Sequence, residues 1–254
     1  MKSVLKCIGC ILSIIWLVAC GASPSATIPP SPIPINISLS PALDPARQAI
    51  EMCAGQLDHT AVFIDSIPAS VQDYKSGDLI IWWGEKPEEI EYAYPLAEDE
   101  LVIIINPENP NKELKATEVK SIFSGRIEAW SQISIFNQPI SVWIFPPGND
   151  ISETFRSAIL DIQPYGRLAR LALTPQAMVE AIAADAGGIG YLPRSWLQPN
   201  VSASMIDENL QMILRKPVLA LAAEKPQGEV LELLSCLQSG AGQEKLMESF
   251  SPSG

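Results

Sequence analysis

The sequence predicts an α/β fold with mostly parallel sheets, and three observations lead to this prediction. Predicted strands and helices alternate along most of the chain. Two unbroken apolar runs, DLIIWWG at 78–84 and LVIIINP at 101–107, are typical of strands that are covered on both faces. The length of 254 residues is enough for one large domain or for two smaller lobes.

The remaining elements follow from local periodicity and from capping residues. Further strands are predicted at 35–40, 60–66, 139–145, 188–193 and 217–223. Helices are predicted at 44–57, 117–130, 153–162, 174–188, 228–239 and 242–250. Three of these helices begin with a favourable N-cap residue, namely Asp44, Thr117 and Thr174.

The loop PPGNDISETF at 146–155 leads from a predicted strand into a predicted helix. Free N–H groups and the helix dipole favour an anion at such a helix start. Asp150 places a negative charge at the same point, so we expect it either to contact a ligand or to cap the helix. Asn149 has the same two interpretations.

Composition and motifs narrow the class of function. The formal net charge of −12 is unsuited to nucleic acid, whereas local dipoles can still hold a small anion. His59 is the only histidine, and the sequence contains no nucleophile elbow, no Walker loop and no metal-ligand spacing. We therefore expect a protein that is not an enzyme and that uses no cofactor and no metal.

The first twenty residues have the pattern of a targeting segment. A short basic start, MKSVLK, precedes the apolar stretch CIGCILSIIWLVA and then Cys20. The ending LVAC-G resembles the bacterial lipobox, which implies that Cys20 carries a lipid and becomes the mature N-terminus. The alternative is a plain secretory signal with an incidental cysteine. Residues 21–34 are rich in proline and serine and are predicted to be a tether.

Two cysteines remain for the folded part. Cys7 and Cys10 lie in the targeting segment and Cys20 is the expected lipidation site, which leaves Cys53 and Cys236. Outside the cytoplasm such a pair can oxidise to a disulfide. Two separate buried thiols are the alternative.

Several segments, in the right order, resemble the substrate-binding proteins of the phosphate-specific ABC transport family, which have a periplasmic-binding-protein-like fold. The segments that carry the resemblance are YPLAEDELVIIINPENP at 94–110, EVKSIFSGRIEAWSQI at 118–133, GGIGYLP at 187–193 and CLQSGAGQEKL at 236–246. The resemblance implies a type II two-lobe fold with a ligand cleft between the lobes. Lobe 1 would comprise residues 35–104 and 194–254, and lobe 2 residues 105–193.

The resemblance also implies an anion site built from three parts. The first is the loop after the first strand, where the hydroxyl of Ser40 and the N–H groups of Ala42 and Leu43 are candidate donors. The second is the end of the strand at 78–84. One of its two tryptophans is expected in the core and the other, Trp83, against the ligand.

The third part is a Ser-Gly-Thr loop before a helix, often preceded by an arginine. This sequence has Asn149, Asp150 and Ile151 at the loop, and Phe145 with two prolines where the arginine would stand. The anion site is therefore substituted.

Two functions are compatible with the sequence. The first is a lipid-anchored solute-binding protein of an ABC importer, held on the outer side of a bacterial cell membrane. It would deliver a small solute, phosphate or another oxyanion by resemblance, to an ABC permease. The second is a surface lipoprotein that keeps the fold for sensing or protein binding without transport.

Overall fold

A computed structural model of the chain describes residues 31–67 and 77–253, and the described residues from Pro32 onward form one compact unit. The predicted targeting segment, Cys20 and most of the tether lie outside the described residues. In the part of the chain that is described, no helix has the length and apolar character of a membrane span.

The described residues form nine strands and seven α-helices. The strands are β1 (Ile33–Leu39), β2 (Thr60–Ser66), β3 (Leu79–Trp83), β4 (Tyr92–Ile105), β5 (Ser141–Ile144), β6 (Arg170–Leu171), β7 (Gly188–Pro193), β8 (Ser202–Ala203) and β9 (Arg215–Ala222). The helices are α1 (Arg47–Ala54), α2 (Ala116–Phe123), α3 (Asp150–Ile159), α4 (Pro175–Ala183), α5 (Glu208–Leu214), α6 (Gly228–Gln238) and α7 (Gly240–Met247). The predicted α/β fold is confirmed.

The strands follow the order β2-β1-β3-β9-β4-β7-β5-β6, and β8 pairs with β4. Parallel ladders join β1 to β2 and β3 at one end and β5 to β6 and β7 at the other. The long strand β4 connects the two ends. Its residues from Tyr92 to Glu100 pair with β9, and those from Leu101 to Ile105 pair with β7. One strand therefore belongs to both parts of the sheet.

Several predicted boundaries differ from the structure, and three of the differences have an identifiable reason. The helix expected at Asp44 begins earlier, as a 3-10 turn over Pro41–Ala46 that Ser40 caps. Lys115, not Thr117, is the N-cap residue of α2. Strand β4 begins well before residue 101, because its acidic run is accommodated inside the sheet, where Asp99 is only 3% exposed.

An aromatic cluster fixes α3 against the sheet. Phe155 of α3 stacks on Tyr191 of β7, with ring centroids 3.9 Å apart, and Phe123 of α2 lies 4.6 Å from Phe155. The hydroxyl groups of Tyr165 and Tyr191 are 2.7 Å apart. Burial of such large rings contributes strongly to the stability of a core. This packing sets where the N-terminus of α3 points.

A disulfide joins Cys53 of α1 to Cys236 of α6, with Cα atoms 5.8 Å apart. Gly242 of α7 packs directly on this bridge, since a Cβ atom there would overlap the Cys53 sulfur and the Cys236 carbonyl. The bridge ties an early helix to the closing pair of helices across 183 residues of sequence.

Candidate functional site

The loop after β1 holds the first group of predicted site residues. Ser40 is fully buried and caps the 3-10 turn, with its Oγ accepting the Ala42 N–H at 3.3 Å. The Leu43 N–H donates to the Ser40 carbonyl at 2.8 Å. Pro41 has no N–H to offer. Both backbone donors predicted for an anion, those of Ala42 and Leu43, therefore bond within the loop.

The start of α3 holds the second group. Asn149 is the N-cap residue, and its Oδ1 accepts the N–H groups of Ile151 at 2.9 Å and Ser152 at 3.4 Å. Gly148, at φ 80°, makes the turn that precedes the cap. Asn149 therefore caps α3, a role that the sequence left open between Asn149 and Asp150. The side chain of Asp150 contacts Ser40 instead.

The two groups meet through Asp150. The Ser40 hydroxyl donates to Oδ2 of Asp150 at 2.5 Å, although the residues are 110 positions apart. Ser40 follows β1 at one end of the sheet, whereas Asp150 opens α3 after β5 at the other end. The bond therefore links the two parts of the sheet that β4 connects.

A second long-range bond reaches the loop after β1. Trp196, which follows β7 by three residues, donates its Nε1–H to the Ala42 carbonyl at 2.7 Å. Sequence reasoning did not single out Trp196. The available signal was a tryptophan three residues after the segment GGIGYLP, at the predicted return between lobes.

Trp83 lies at the end of β3 and packs in the main core, with 6% of its surface exposed. Its Nε1–H is buried without a hydrogen-bond partner among the described residues. Trp82 faces the other side of the strand and donates its Nε1–H to the Glu85 carbonyl at 2.9 Å. The two tryptophans therefore occupy opposite faces, as strand geometry requires.

A cavity of about 450 Å³ opens beside α3, and it is lined by residues of α3 and by residues from the end of β3 and from β9. Gly84, Glu85 and Lys216 line one side, and Glu153 and Arg156 belong to the α3 side. The Arg156 guanidinium donates to both carboxylate oxygens of Glu153, at 3.1 and 3.2 Å. Charges of both signs therefore line this cavity.

A group of charged residues marks the point at which β4 passes from β9 to β7. Oδ1 of Asp99 accepts the N–H groups of Glu100 at 2.8 Å and Ser195 at 3.3 Å, while Oδ2 is buried without a described partner. Burial raises the pKa of Asp99 to about 7, against the opposing effect of hydrogen bonds from Ser195 and Glu100. Arg194 forms a salt bridge with Glu100.

The only histidine of the sequence and possible metal ligands were also located. His59 is exposed and lies in the turn before β2 with φ 55°. Within residues 31–67 and 77–253 no three His, Cys, Asp or Glu side chains are placed to hold a metal ion. The groups that do converge are suited to hydrogen bonding.

Comparison with known proteins identifies the family. The PBP superfamily domain matches residues 88–254, so the chain belongs to this superfamily. No curated protein sequence matches the chain.

Solved structures extend the similarity to most of the chain. An ABC-type phosphate transport receptor from Vibrio cholerae is 18% identical, with a TM-score of 0.71, over 87% of this chain and 100% of that one. A proposed phosphate ABC transporter substrate-binding protein from Clostridium perfringens, with bound phosphate, is also 18% identical, with a TM-score of 0.76 over the same shares of 87% and 100%. The regulatory domain of the LysR family regulator MetR from Neisseria meningitidis is 16% identical, with a TM-score of 0.60, over 85% of this chain and 95% of that one. At these identities the comparisons show the common fold.

Proposed function

We propose that this protein is a lipid-anchored, extracytoplasmic solute-binding protein of an ABC importer, with a substituted anion site. The observation that carries the proposal is the contact between Ser40 and Asp150. Two loops from opposite parts of one sheet meet at a single point, in a fold shared with phosphate transport receptors. A solute held between such loops is sequestered when the two parts close around it.

The two-lobe division rests on strand β4. It changes partner from β9 to β7 between Glu100 and Leu101, and the chain returns at Arg194 after β7. These two crossings are the natural hinge positions, because each absorbs the change in direction between lobes. The proposed division keeps lobe 1 as residues 35–104 and 194–254 and lobe 2 as residues 105–193, with the first boundary four residues beyond this change of partner.

The anchoring proposal rests on the lipobox-like ending at Cys20 and the proline-rich segment 21–34. A lipid on the mature N-terminus followed by an extended tether places a binding domain beside a membrane permease. The acidic net charge, −12 for the whole sequence, gives the folded part no electrostatic attraction of its own to an anionic membrane surface.

The substituted site argues against phosphate as the solute. A carboxylate about 4 Å from each negative charge of a bound oxyanion costs about 4 kcal/mol per charge at the effective dielectric of a partly exposed site. The cavity beside α3 presents Glu85 and Glu153 together with Arg156 and Lys216. Charges of both signs suit a small zwitterionic or donor-rich solute better than a dianion.

A thermal-shift screen of the full chain tests the proposal. Phosphate, sulfate, amino acids and small cations would each be added at millimolar concentration. We expect a solute other than phosphate to stabilise the protein, because a ligand at about 100 times its Kd adds about 2.7 kcal/mol. Stabilisation by micromolar phosphate would contradict the substituted site, and no stabilisation by any solute would contradict solute binding.

A second function has one observation in its favour. The bond between the Ser40 hydroxyl and the Asp150 carboxylate joins the two parts of the sheet directly. A protein that is closed in this way suits sensing or protein binding at the cell surface. A neighbouring permease and ATPase gene would favour the importer, and a neighbourhood without them would favour this alternative.

A further inference from the structure

A second cavity lies among residues 122–170, beside the first residues of β5. Its volume is about 790 Å³, larger than that of the cavity beside α3. Three segments form its walls, namely the end of α2 with the turn that follows, the start of β5 and the segment that leads into β6. Asn149 and Asp150 follow the opposite end of β5, so this cavity is separate from the candidate site.

Two glycines hold the walls of this cavity together. Gly125, at φ 74°, lies in the turn after α2, and Gly166 lies in the segment before β6. A Cβ atom at Gly166 would be 2.8 Å from the Gly125 Cα atom, so the two backbones are in direct contact. The Gly166 N–H also donates to the Phe123 carbonyl at 2.8 Å. This close crossing, which glycine alone permits, fixes the two walls relative to each other.

Tyr165 gives the cavity a fixed aromatic wall. Its hydroxyl oxygen is 2.7 Å from that of Tyr191, and its ring lies nearly parallel to that of Phe155 with centroids 6.2 Å apart. Large apolar side chains make up much of the remaining lining, namely Ile122, Ile127, Ile140, Val142 and Leu168. Preformed, mostly apolar cavities of about 300 to 1,000 Å³ are typical of sites for small molecules.

Two arginines also line this apolar cavity. The Arg170 guanidinium lies over the Trp143 ring, 5.6 Å from its centroid, and its Nη1 atom is 4.0 Å from Oδ2 of Asp185. Within the part of the chain that the structure describes, no hydrogen bond uses the guanidinium of Arg167 or of Arg170. Because each guanidinium has five N–H donors, both retain donors for a ligand.

The local charge favours an anion here, although the whole chain is acidic. The segment 162–179, which contains both arginines, has no aspartate and no glutamate. Glu128 is the one carboxylate that lines the cavity, against the guanidinium groups of Arg167 and Arg170. Guanidinium groups are weakly hydrated and bind planar or multidentate anions in two places at once. The cavity therefore combines apolar walls with a net positive charge.

We propose that this cavity is a second ligand site, which binds a small organic anion with an apolar body and one carboxylate, sulfonate or phosphate group. The apolar body lies against Tyr165 and the aliphatic walls, and the anionic group lies at Arg167 and Arg170. An inorganic anion would leave the apolar walls in water, and a neutral apolar molecule would leave the guanidinium donors unused. The site goes beyond the proposed solute cleft and does not depend on whether that cleft binds a solute.

The test titrates three probes into the full chain in mild detergent by calorimetry, with detergent alone as the blank. Naphthalenesulfonate combines an apolar ring system with a permanent negative charge. Naphthalenesulfonamide has the same ring system and is neutral at pH 7. Methanesulfonate has the charge without the ring system.

We expect naphthalenesulfonate to bind with a Kd of about 1 mM or tighter, as is usual for a ligand of its size in a preformed site. The sulfonamide should bind at least about fivefold more weakly, because it makes no charge-assisted hydrogen bonds. Methanesulfonate should not saturate the protein below about 10 mM, because it buries almost no apolar surface. Absence of saturable naphthalenesulfonate binding would overturn the inference, and so would equal affinity for the sulfonamide.

Variants of the full chain then locate the bound anion. Arg167→Gln and Arg170→Gln should each weaken naphthalenesulfonate binding by about threefold to tenfold, because each removes a charged donor. Arg126→Gln is the matched control, since Arg126 is an exposed arginine beside Gly125 that does not line the cavity. Its affinity should stay within about twofold of the wild type, because solvent and salt screen its charge.

Equal losses in all three variants would overturn the inference, because general electrostatics would then explain the binding. Unchanged affinity in both Arg167→Gln and Arg170→Gln would overturn it as well, because the probe would then bind elsewhere. Arg167→Gln keeps the test valid if Arg170→Gln disturbs the packing on Trp143, since the described residues make no hydrogen bond to the Arg167 guanidinium.

Discussion

Reduction of the disulfide between Cys53 and Cys236 should produce a large loss of stability. The bridge closes a loop that spans 183 residues of sequence. In the chain-entropy model a loop of this length lowers the entropy of the unfolded chain enough to stabilise the fold by about 5 kcal/mol. The total stability of a domain is commonly about 5 to 15 kcal/mol, so this loss is a substantial fraction of the whole.

The assay is urea unfolding followed by tryptophan fluorescence, with and without a thiol reductant. We expect reduction to lower the free energy of unfolding by about 3 to 5 kcal/mol, since measured effects often fall below the entropy value. The double variant Cys53→Ala/Cys236→Ala is the control, and reductant should leave its midpoint unchanged. A shift below about 1 kcal/mol in the wild type would refute the reasoning, because the two cysteines would then act as separate thiols or the bridge would not constrain the unfolded chain.

Three further predictions follow from particular residues. Asp99→Asn should remove a pH dependence: the raised pKa of about 7 means that the contribution of Asp99 to wild-type stability is greatest below about pH 4 and is lost as the pH rises to about 7. At pH 8 the variant should be more stable by about 1 to 4 kcal/mol, measured by urea unfolding, and an identical pH profile for both proteins would contradict this. Gly242→Ala should lower the melting temperature in calorimetry, because the added methyl group overlaps the disulfide and overpacking costs about 1 to 3 kcal/mol. An unchanged melting temperature would show that α7 shifts freely. Cys20→Ala should abolish incorporation of labelled fatty acid and release the protein from membranes, whereas retained labelling would exclude lipidation at Cys20.

Elements with strong local signals could be predicted from sequence. Strand β7 was predicted at 188–193 and has these bounds, because Gly188 and Pro193 delimit a short apolar run. Helix α4 has the predicted cap, with the Thr174 hydroxyl accepting the Ala177 N–H at 3.1 Å. In both cases neighbouring residues supply all the information, so no long-range contact is needed to fix the boundary.

The parts that sequence reasoning missed depend on distant contacts. The bond from Ser40 to Asp150 spans 110 residues, and no local pattern distinguishes it from helix capping by Asp150. Trp196 contacts Ala42 across 154 residues. Asp99 lies inside a run of three acidic residues that looks solvent-exposed, yet the fold buries it among backbone donors.

The candidate site, like the fold, could be predicted where local chemistry decides and could not be predicted where distant contacts decide. The sequence placed Ser40 and Asp150 in loops that feed helical turns, and local chemistry was enough for that. Whether the two loops meet depends on long-range packing such as that of Phe155 on Tyr191. Family resemblance supplied the expectation of a shared cleft, and the residues themselves decide what the cleft accepts.

Calorimetric titration of phosphate into the wild-type chain at neutral pH tests the central claim most directly. The claim is that a carboxylate of the protein fills the position at which an anion would bridge the two parts of the sheet. We predict no saturable binding below about 1 mM phosphate, because the Ser40 donor is committed to Asp150 and like charges repel. Saturable binding with a micromolar Kd would contradict the claim.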